Sequence, residues 1–224
     1  MCGRFTLTID PADAADEFEG ATFPTKFAPR FNIAPTQPVL AIPNDGRNVA
    51  DFFVWGLIPS WAKDPAIGNR LINARGETLA EKPSFRGGYK YKRCLVLADG
   101  YYEWKSVPGT KAKIPHFIRL KTARPFAFAG LWDEWHSPEG SSIRSCTIIT
   151  TKPNKFLAAI HDRMPVILHS KDYSDWLDAA PRTADSLNHV ITEYPADLME
   201  AYPVSTLVNS PANDRAECLL PAFG

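Results

Sequence analysis

The sequence predicts an α+β fold: one compact, strand-rich domain over residues 1–224, with a few peripheral helices. The 20 prolines and 13 glycines divide the chain into short segments, and such frequent punctuation suits strands better than long helices. Most of these segments are short apolar or alternating runs, which are typical of strands. Fewer segments show helical spacing, and they interleave irregularly with the strands, which favours an α+β arrangement.

Strands are expected in segments bounded by Pro, Gly, Asn or Asp: residues 39–42, 51–57, 94–98, 116–120, 125–132, 145–150 and 166–168. Helices are expected in fewer places. Asp10 is a typical N-cap residue, is followed by proline, and opens a helix over residues 12–18. Residues 154–160 carry apolar side chains at helical spacing, and Ser170 can cap a helix that runs to Leu177.

The composition is that of an ordinary folded protein, with 45% hydrophobic residues and a formal net charge of zero. Nucleic-acid binding would therefore depend on a local basic patch. The amino terminus has no basic leader followed by an apolar segment, and no apolar run is long enough to cross a bilayer. We expect a monomeric cytoplasmic protein, nucleoid-associated if bacterial, with no membrane partner.

The four cysteines are widely spaced and contain no C-x-x-C pair, so neither a disulfide framework nor a zinc site is expected. We expect no metal and no cofactor. Cys94 and Cys146 stand in apolar runs, which favours burial as small hydrophobic residues. The sequence leaves Cys218 ambiguous.

Cys2 differs from the other cysteines, because removal of Met1 leaves an α-amine and a thiol on the same residue. These groups titrate near ~8 and ~8.5 when unperturbed, so both are accessible nucleophiles at neutral pH. An amine attacks an aldehyde to give a Schiff base. The adjacent thiol can then close on the imine carbon to give a five-membered thiazolidine.

Three polar residues stand next to apolar segments where they could join this chemistry. Asn73 ends one apolar run, and Glu103 follows another among aromatic residues. A carboxyl so placed has a raised pKa if it is buried, which suits general acid or base work; a turn that points Glu103 to solvent is the equal alternative. His161 follows a predicted helix, and the residues alone favour a helix-capping role.

A basic segment offers the local patch that the neutral total charge conceals. Between Lys82 and Arg93 no acidic residue occurs, and aromatic residues alternate with the basic ones. A solvated basic loop is the alternative. Trp55 and Trp61 flank a Gly/Pro-containing segment, where a tryptophan either packs in the core or stacks on an exposed base.

Taken in order, these segments resemble the SOS response-associated peptidase family, whose members shield abasic sites in single-stranded DNA. The matching motifs extend over most of the chain: Cys2-Gly3-Arg4-Phe5, Phe31-Asn32-Ile33-Ala34-Pro35-Thr36, Trp55-Gly56-Leu57-Ile58-Pro59-Ser60-Trp61, Asn73-Ala74-Arg75 with Glu77, Asp99-Gly100-Tyr101-Tyr102-Glu103-Trp104, Ile149-Thr150 and Ile160-His161-Asp162-Arg163-Met164-Pro165.

The resemblance implies roles for four catalytic residues. Cys2 corresponds to the residue that forms the thiazolidine with the ring-opened abasic sugar. Asn73 corresponds to the amide that holds the terminal residue and the sugar. Glu103 corresponds to the acid/base group for ring opening, and His161 to the histidine of Schiff-base chemistry and crosslink reversal. The family's peptidase name implies self-processing before Cys2, which here would remove only Met1.

The resemblance also implies that single-stranded DNA containing abasic sites is the partner. Arg4 and Arg75 correspond to positions that hold the phosphates around the lesion, and Trp55 and Trp61 lie in the segment that shapes the DNA groove. The expected DNA-contacting set is completed by the following residues: Asn32, Pro35, Arg86, Thr150 and Arg163.

Three other functions are alternatives to this interpretation. An amino-terminal-nucleophile amidohydrolase also begins Met-Cys-Gly, but the Gly-Asp dipeptide expected downstream does not occur. A thiol peptidase could combine Cys2 with His161 and Glu103. A binding module without catalysis would leave these residues without a shared purpose.

Overall fold

Strands make up most of the regular structure in the computed structural model, which describes residues 2–183 and 185–222. In this part of the chain the strands are β1 (Phe5–Leu7), β2 (Arg30–Ile33), β3 (Pro38–Pro43), β4 (Asp51–Trp55), β5 (Asn73–Arg75), β6 (Arg93–Ala98), β7 (Gly100–Ser106), β8 (Lys113–Leu120), β9 (Phe126–His136), β10 (Ser142–Thr151), β11 (Met164–Pro165), β12 (Ile167–Leu168) and β13 (Met199–Pro203). The α-helices are α1 (Pro11–Glu17), α2 (Pro83–Tyr91) and α3 (Tyr173–Leu177). The predicted strand-rich α+β class is confirmed.

The larger sheet closes on itself into a small barrel. Its strands pair in the order β10-β4-β3-β6-β9, and β9 pairs again with β10 along seven residue pairs, from Ser142↔His136 to Ile148↔Gly130. Closure of this kind removes free sheet edges. The second sheet has the order β13-β8-β7-β1-β2.

The two sheets share one apolar core, and Phe5 of β1 joins them. Its ring lies 5.1 Å from the ring of Trp55 and 5.7 Å from that of Phe128, centroid to centroid, and both of these residues belong to the barrel. All three side chains are fully buried. This packing fixes β1, and therefore the residues that precede it, against the barrel.

Each segment predicted as a strand contains one, but β1, β2, β5, β7, β11 and β13 were not predicted. Of these, β1 and β5 have three residues each and gain their hydrogen-bond partners from distant parts of the chain. Sequence patterns detect such short strands poorly, because pairing and burial stabilise them more than local propensity does.

Among the helices, α1 agrees with the prediction, and the Asp10 carboxylate accepts from the N–H groups of the first turn. The helix predicted over residues 154–160 is wrong, because only a 3-10 turn forms at Leu157–Ala159. Ser170 makes no capping hydrogen bond; it begins a 3-10 turn that leads into α3.

The basic segment contains helix α2, which the sequence did not predict. It includes two glycines, yet its buried residues Phe85 and Tyr89 lie four positions apart and so share one face. A Cβ atom at Gly88 would lie only 3.3 Å from the side chain of Leu131. The absence of a side chain at Gly88 therefore allows the helix to pack closely against β9. Tertiary packing therefore overrides the low helix propensity of glycine.

Membrane-spanning helices and groups of metal ligands are both absent from the described residues. No helix within residues 2–183 and 185–222 is long and apolar enough to cross a bilayer, and no group of three His, Cys, Asp or Glu side chains there could hold a metal ion. All four cysteines are free and buried, which confirms the prediction for Cys94 and Cys146.

Candidate active site around Cys2

Cys2 is held where the second sheet meets the barrel. The N–H of Tyr102 on β7 donates to the carbonyl of Arg4 (2.9 Å), which extends the pairing of β1 and β7 back toward the amino terminus. The Nδ2 group of Asn73 donates to the carbonyl of Cys2 (2.8 Å), and the strand of Asn73, β5, pairs in parallel with β10. The structure thus brings Cys2 and Asn73 together, as expected.

Glu103 lies on the inner face of β7. Alternate residues of a strand point to opposite faces, so Glu103 shares its face with Tyr101, whereas Tyr102 faces a separate apolar cluster. The Glu103 residue is only 3% exposed, so the alternative of a solvent-facing turn is wrong. Burial raises the pKa of its carboxyl from 4.5 to about 7.

His161 lies beside this carboxyl. Its Nε2 is 3.7 Å from Glu103 Oε2, and its Nδ1 accepts from the N–H of Arg163 at 3.0 Å. The exposed carboxylate of Asp162 lies 2.9 Å from the same Nδ1. Because a peptide N–H can only donate, we assign Nδ1 as an acceptor and place the proton of the neutral ring on Nε2, toward Glu103. Burial lowers the pKa of His161, which favours the neutral form.

The thiol of Cys2 is buried. Its side chain has no exposed surface, and its Sγ lies 4.0 Å from the carbonyl oxygen of Arg4. Burial raises the pKa of the thiol, and the Glu103 carboxyl shifts it in the same direction. The resting residue is therefore a thiol, and its activation requires a group that accepts the proton.

Arg4 and Asn32 were predicted to contact DNA, but both are used inside the protein. Arg4 Nη1 donates to Asn32 Oδ1 (2.9 Å) and to the carbonyl of Val208 (2.6 Å), and its Nη2 donates to Asn209 (3.1 Å). Asn32 is fully buried, and its Nδ2 donates to backbone carbonyls of the segment 208–213. Both side chains anchor the carboxyl-terminal segment. The prediction that Asn32 contacts DNA is corrected because its side chain is buried, whereas contact of the partly exposed Arg4 with DNA stays a prediction.

Thr150 and Arg163 form a second internal network. Thr150 is fully buried. Arg163 makes a bidentate ion pair with Glu77, at 2.6 and 2.9 Å, and its Nη2 donates to the carbonyl of Thr150 at 2.7 Å. In this structure neither residue presents a free group to a phosphate, because Glu77 occupies the guanidinium of Arg163.

The two tryptophans of the Gly/Pro-containing segment have different surroundings. Trp55 is fully buried, and its indole N–H donates to the carbonyl of Ile72 (2.9 Å). It therefore packs in the core and offers no face on which a base could stack. Trp61 is 59% exposed. Pro35 is partly exposed in the turn between β2 and β3. The next residue, Thr36, donates its N–H to the carbonyl of Trp55 (2.8 Å).

The basic patch is smaller than the sequence indicated. Arg93 is fully buried, and its guanidinium donates to several backbone carbonyls, including those of Tyr89 and Trp176. Lys92 forms an ion pair with Asp133. The exposed basic residues Lys82, Arg86 and Lys90 remain, at intervals of four, and therefore form one stripe along α2. Arg86 borders a concave surface together with Trp61, Pro83 and Gly87, and Arg75 is exposed on β5.

The family model described as SOS response associated peptidase (SRAP) matches residues 1–211 of the chain. The chain belongs to the SRAP family. It is 49% identical over 222 residues to Abasic site processing protein YoqW of Bacillus subtilis (strain 168), covering 98% of this chain and 99% of that protein. It is 34% identical over 237 residues to Abasic site processing protein HMCES of Rattus norvegicus, covering 89% of this chain and 67% of that protein.

The fold of this SRAP chain is also similar to solved structures. A crystal structure of a protein from Bacteroides thetaiotaomicron superimposes with a TM-score of 0.88 at 26% identity, covering 99% of this chain and all of that one. A crystal structure from Bordetella bronchiseptica gives a TM-score of 0.77 at 24% identity, over 91% of this chain.

Sequence reasoning missed two residues of this SRAP site. The sequence marks Tyr101 only as an aromatic neighbour of Glu103, although the strand alternation that buries Glu103 places Tyr101 on the same face. Glu77 belongs to a matching motif, but its ion pair with Arg163 spans 86 positions. No local signal in the sequence indicates such a contact.

Proposed function

We propose that this SRAP chain processes abasic sites in single-stranded DNA, and that Cys2, freed by removal of Met1, bonds covalently to the ring-opened sugar. The observation that carries the proposal is the buried position of Cys2 beside an amide and an acid/base pair. Asn73 Nδ2 donates to the Cys2 carbonyl, the charge of the Glu103 carboxyl raises the pKa of the Cys2 thiol, and Glu103, whose own pKa is about 7, adjoins His161. The names of the relatives YoqW and HMCES support the same substrate.

The reaction follows from the groups present. The abasic sugar is mostly a closed hemiacetal, so protons must move at its ring oxygen and hydroxyl before an aldehyde exists, and Glu103 is suited to both transfers because its pKa lies near neutral pH. The α-amine of Cys2 then adds to the aldehyde and one water leaves, which gives the imine. The thiol adds to the imine carbon: a C–S bond forms, the C=N electron pair moves to nitrogen, and the thiol proton is transferred to that nitrogen through the Glu103 carboxyl.

Asn73 orients the terminal residue for these steps. Its Nδ2 fixes the carbonyl of Cys2, whereas its buried Oδ1 has no hydrogen-bond partner among the described residues. A buried acceptor left unpaired is costly, so its retention suggests a partner that arrives during the reaction. We assign Oδ1 to the α-amine of Cys2 or to a hydroxyl of the sugar.

The same geometry favours DNA crosslinking over a general thiol peptidase. A peptidase of this kind needs a thiolate, but burial raises the pKa of the Cys2 thiol. An imine forms first from the amine, so the crosslinking route does not require a free thiolate at the start. We propose that any peptide cleavage is confined to the bond that follows Met1.

Blocking the amino terminus is expected to abolish stable crosslinking to an abasic oligonucleotide, because the α-amine is a reactant. The test places an uncleavable tag before Cys2 and measures adducts on denaturing gels. The same tag at the carboxyl end serves as the control and is expected to leave the rate unchanged. If the amino-terminally tagged protein crosslinks at the normal rate, an internal group is the nucleophile.

DNA binding by this chain is assigned to its exposed groups: Arg75, the α2 stripe of Lys82, Arg86 and Lys90, and Trp61. Basic groups bind phosphates, and an exposed indole face can stack on a base regardless of its identity. We propose that Trp61 and Arg86, which border one concave surface, hold the strand that leads to the lesion.

Replacing Arg75 or Arg86 with alanine is expected to weaken binding of single-stranded DNA and to reduce its dependence on salt. Removing one phosphate-binding group lowers the slope of log binding constant against log salt by about 0.7. Fluorescence anisotropy at several salt concentrations measures the slope. Lys121→Ala, at an exposed lysine outside the proposed interface, is the control. Unchanged slopes in both arginine variants would remove these residues from the interface.

A further inference from the structure

The hydroxyl of Tyr101 is the feature that the mechanism above leaves unused. Tyr101 has no exposed surface, and its hydroxyl makes no hydrogen bond to any residue that the structure describes. Buried tyrosine hydroxyls normally find a partner. The neighbouring Tyr102 follows that rule, because its hydroxyl donates to the carbonyl of Phe31 (2.7 Å).

The position of Tyr101 places this hydroxyl with the reacting groups. Tyr101 pairs with Phe5 of β1, the strand that begins just after Cys2, and its ring packs edge-on against Phe128 (6.0 Å). It shares the inner face of β7 with Glu103. Besides burial, the Cys2 thiol and the Glu103 carboxyl both raise the pKa of this phenol, so it stays protonated and remains a donor at neutral pH.

We propose that the Tyr101 hydroxyl donates a hydrogen bond to the sulfur of Cys2 while the thiol closes on the imine. The inference rests on the proposed function and adds a residue to it. As the C–S bond forms, the C=N electron pair moves to nitrogen, and the thiol proton passes through the Glu103 carboxyl to that nitrogen. Tyr101 gives up no proton; it stabilises the negative charge that develops on sulfur in a site that excludes water.

Tyr101→Phe removes only this hydroxyl and tests the proposal. The imine is trapped with borohydride, and the thiazolidine is scored as the adduct that survives heat without borohydride. We expect imine formation within about twofold of wild type and ring closure slowed by about tenfold or more, the effect of losing one hydrogen bond to a charged group. Because the hydroxyl has no hydrogen-bond partner among the residues that the structure describes, the midpoint of thermal unfolding should stay at or above the wild-type value.

Tyr102→Phe is the matched control, since it makes the same change one residue along the strand. It loses the hydrogen bond to Phe31 and should lower the unfolding midpoint, yet it should leave the ratio of closure to imine formation unchanged. A second variant, Tyr101→3-fluorotyrosine, keeps a more acidic donor in place and should close the ring at or above the wild-type rate.

The outcomes separate the inference from the function on which it rests. Closure at the wild-type rate in Tyr101→Phe, or equal slowing of both steps, would overturn the role of Tyr101 while leaving the role of Cys2 intact. A wild-type protein that forms no adduct dependent on Cys2 would overturn both.

Discussion

Replacing Cys2 with alanine is expected to abolish the heat-stable adduct with abasic single-stranded DNA. Alanine keeps the α-amine, and the Asn73 hydrogen bond involves only the backbone carbonyl, so the imine can still form. Without a thiol no thiazolidine can close, and the imine hydrolyses unless borohydride traps it. The measurement is a denaturing gel with and without borohydride.

The control for this experiment is Cys218→Ala, which removes another buried thiol outside the site. It should leave the adduct unchanged. Cys2→Ser adds a second comparison, because its hydroxyl is a weaker nucleophile than a thiol and should give little stable product. A stable adduct of normal yield in Cys2→Ala would exclude the thiazolidine.

Replacing Glu103 with glutamine is expected to slow adduct formation by about 10²–10⁴-fold, the usual contribution of a positioned acid/base group. Glutamine fills the same buried space but cannot exchange a proton. The loss should be largest with the natural closed sugar. An oligonucleotide that carries an acyclic aldehyde should lose less, because it needs no ring opening.

Exposed Glu193→Gln is the matched control and should behave as wild type. Circular dichroism establishes that each variant is folded. Equal rates for wild type and Glu103→Gln with the closed sugar would make Glu103 a structural residue.

Glu103 should also leave a signature in the dependence of stability on pH. Its pKa is 4.5 ordinarily and about 7 in the folded chain. The folded state therefore holds the proton more tightly, and this contribution is full below pH 4.5 and lost as the pH rises through 7. The free energy of unfolding should fall by about 3 kcal/mol over that window. Urea denaturation at pH 4.5 and 8 should show this fall in wild type and a smaller one in Glu103→Gln.

The sequence predicted the barrel strands well because their short apolar runs are bounded by Pro, Gly, Asn or Asp. It missed α2, whose glycines resemble a loop and whose stability comes from the packing of Phe85 and Tyr89. The sequence also predicted a helix from Asn154 onward. There the Asn154 side chain instead accepts hydrogen bonds from the N–H groups of Phe156 and Leu157 in a tight turn. Local patterns cannot show which segments tertiary packing will reshape.

For the site, the ordered motifs were sufficient to group Cys2 with Asn73, whereas the environment of each side chain was not predictable. Arg4 carries the charge that DNA binding needs, but its guanidinium is occupied by a segment 204 and 205 residues away. Glu103 could have pointed to either face of the sheet until the register of β7 was known. Contacts between distant parts of the chain determine the environments of Arg4 and Glu103, and a single sequence does not show such contacts.

Intact-mass spectrometry of the protein with an abasic oligonucleotide tests most directly whether the amino-terminal Cys2 is the reacting residue. We expect a single adduct whose mass is the chain without Met1 plus the oligonucleotide minus one water, with fragmentation placing the bond on Cys2. An adduct that retains Met1, or one that maps to any other residue, would contradict this expectation.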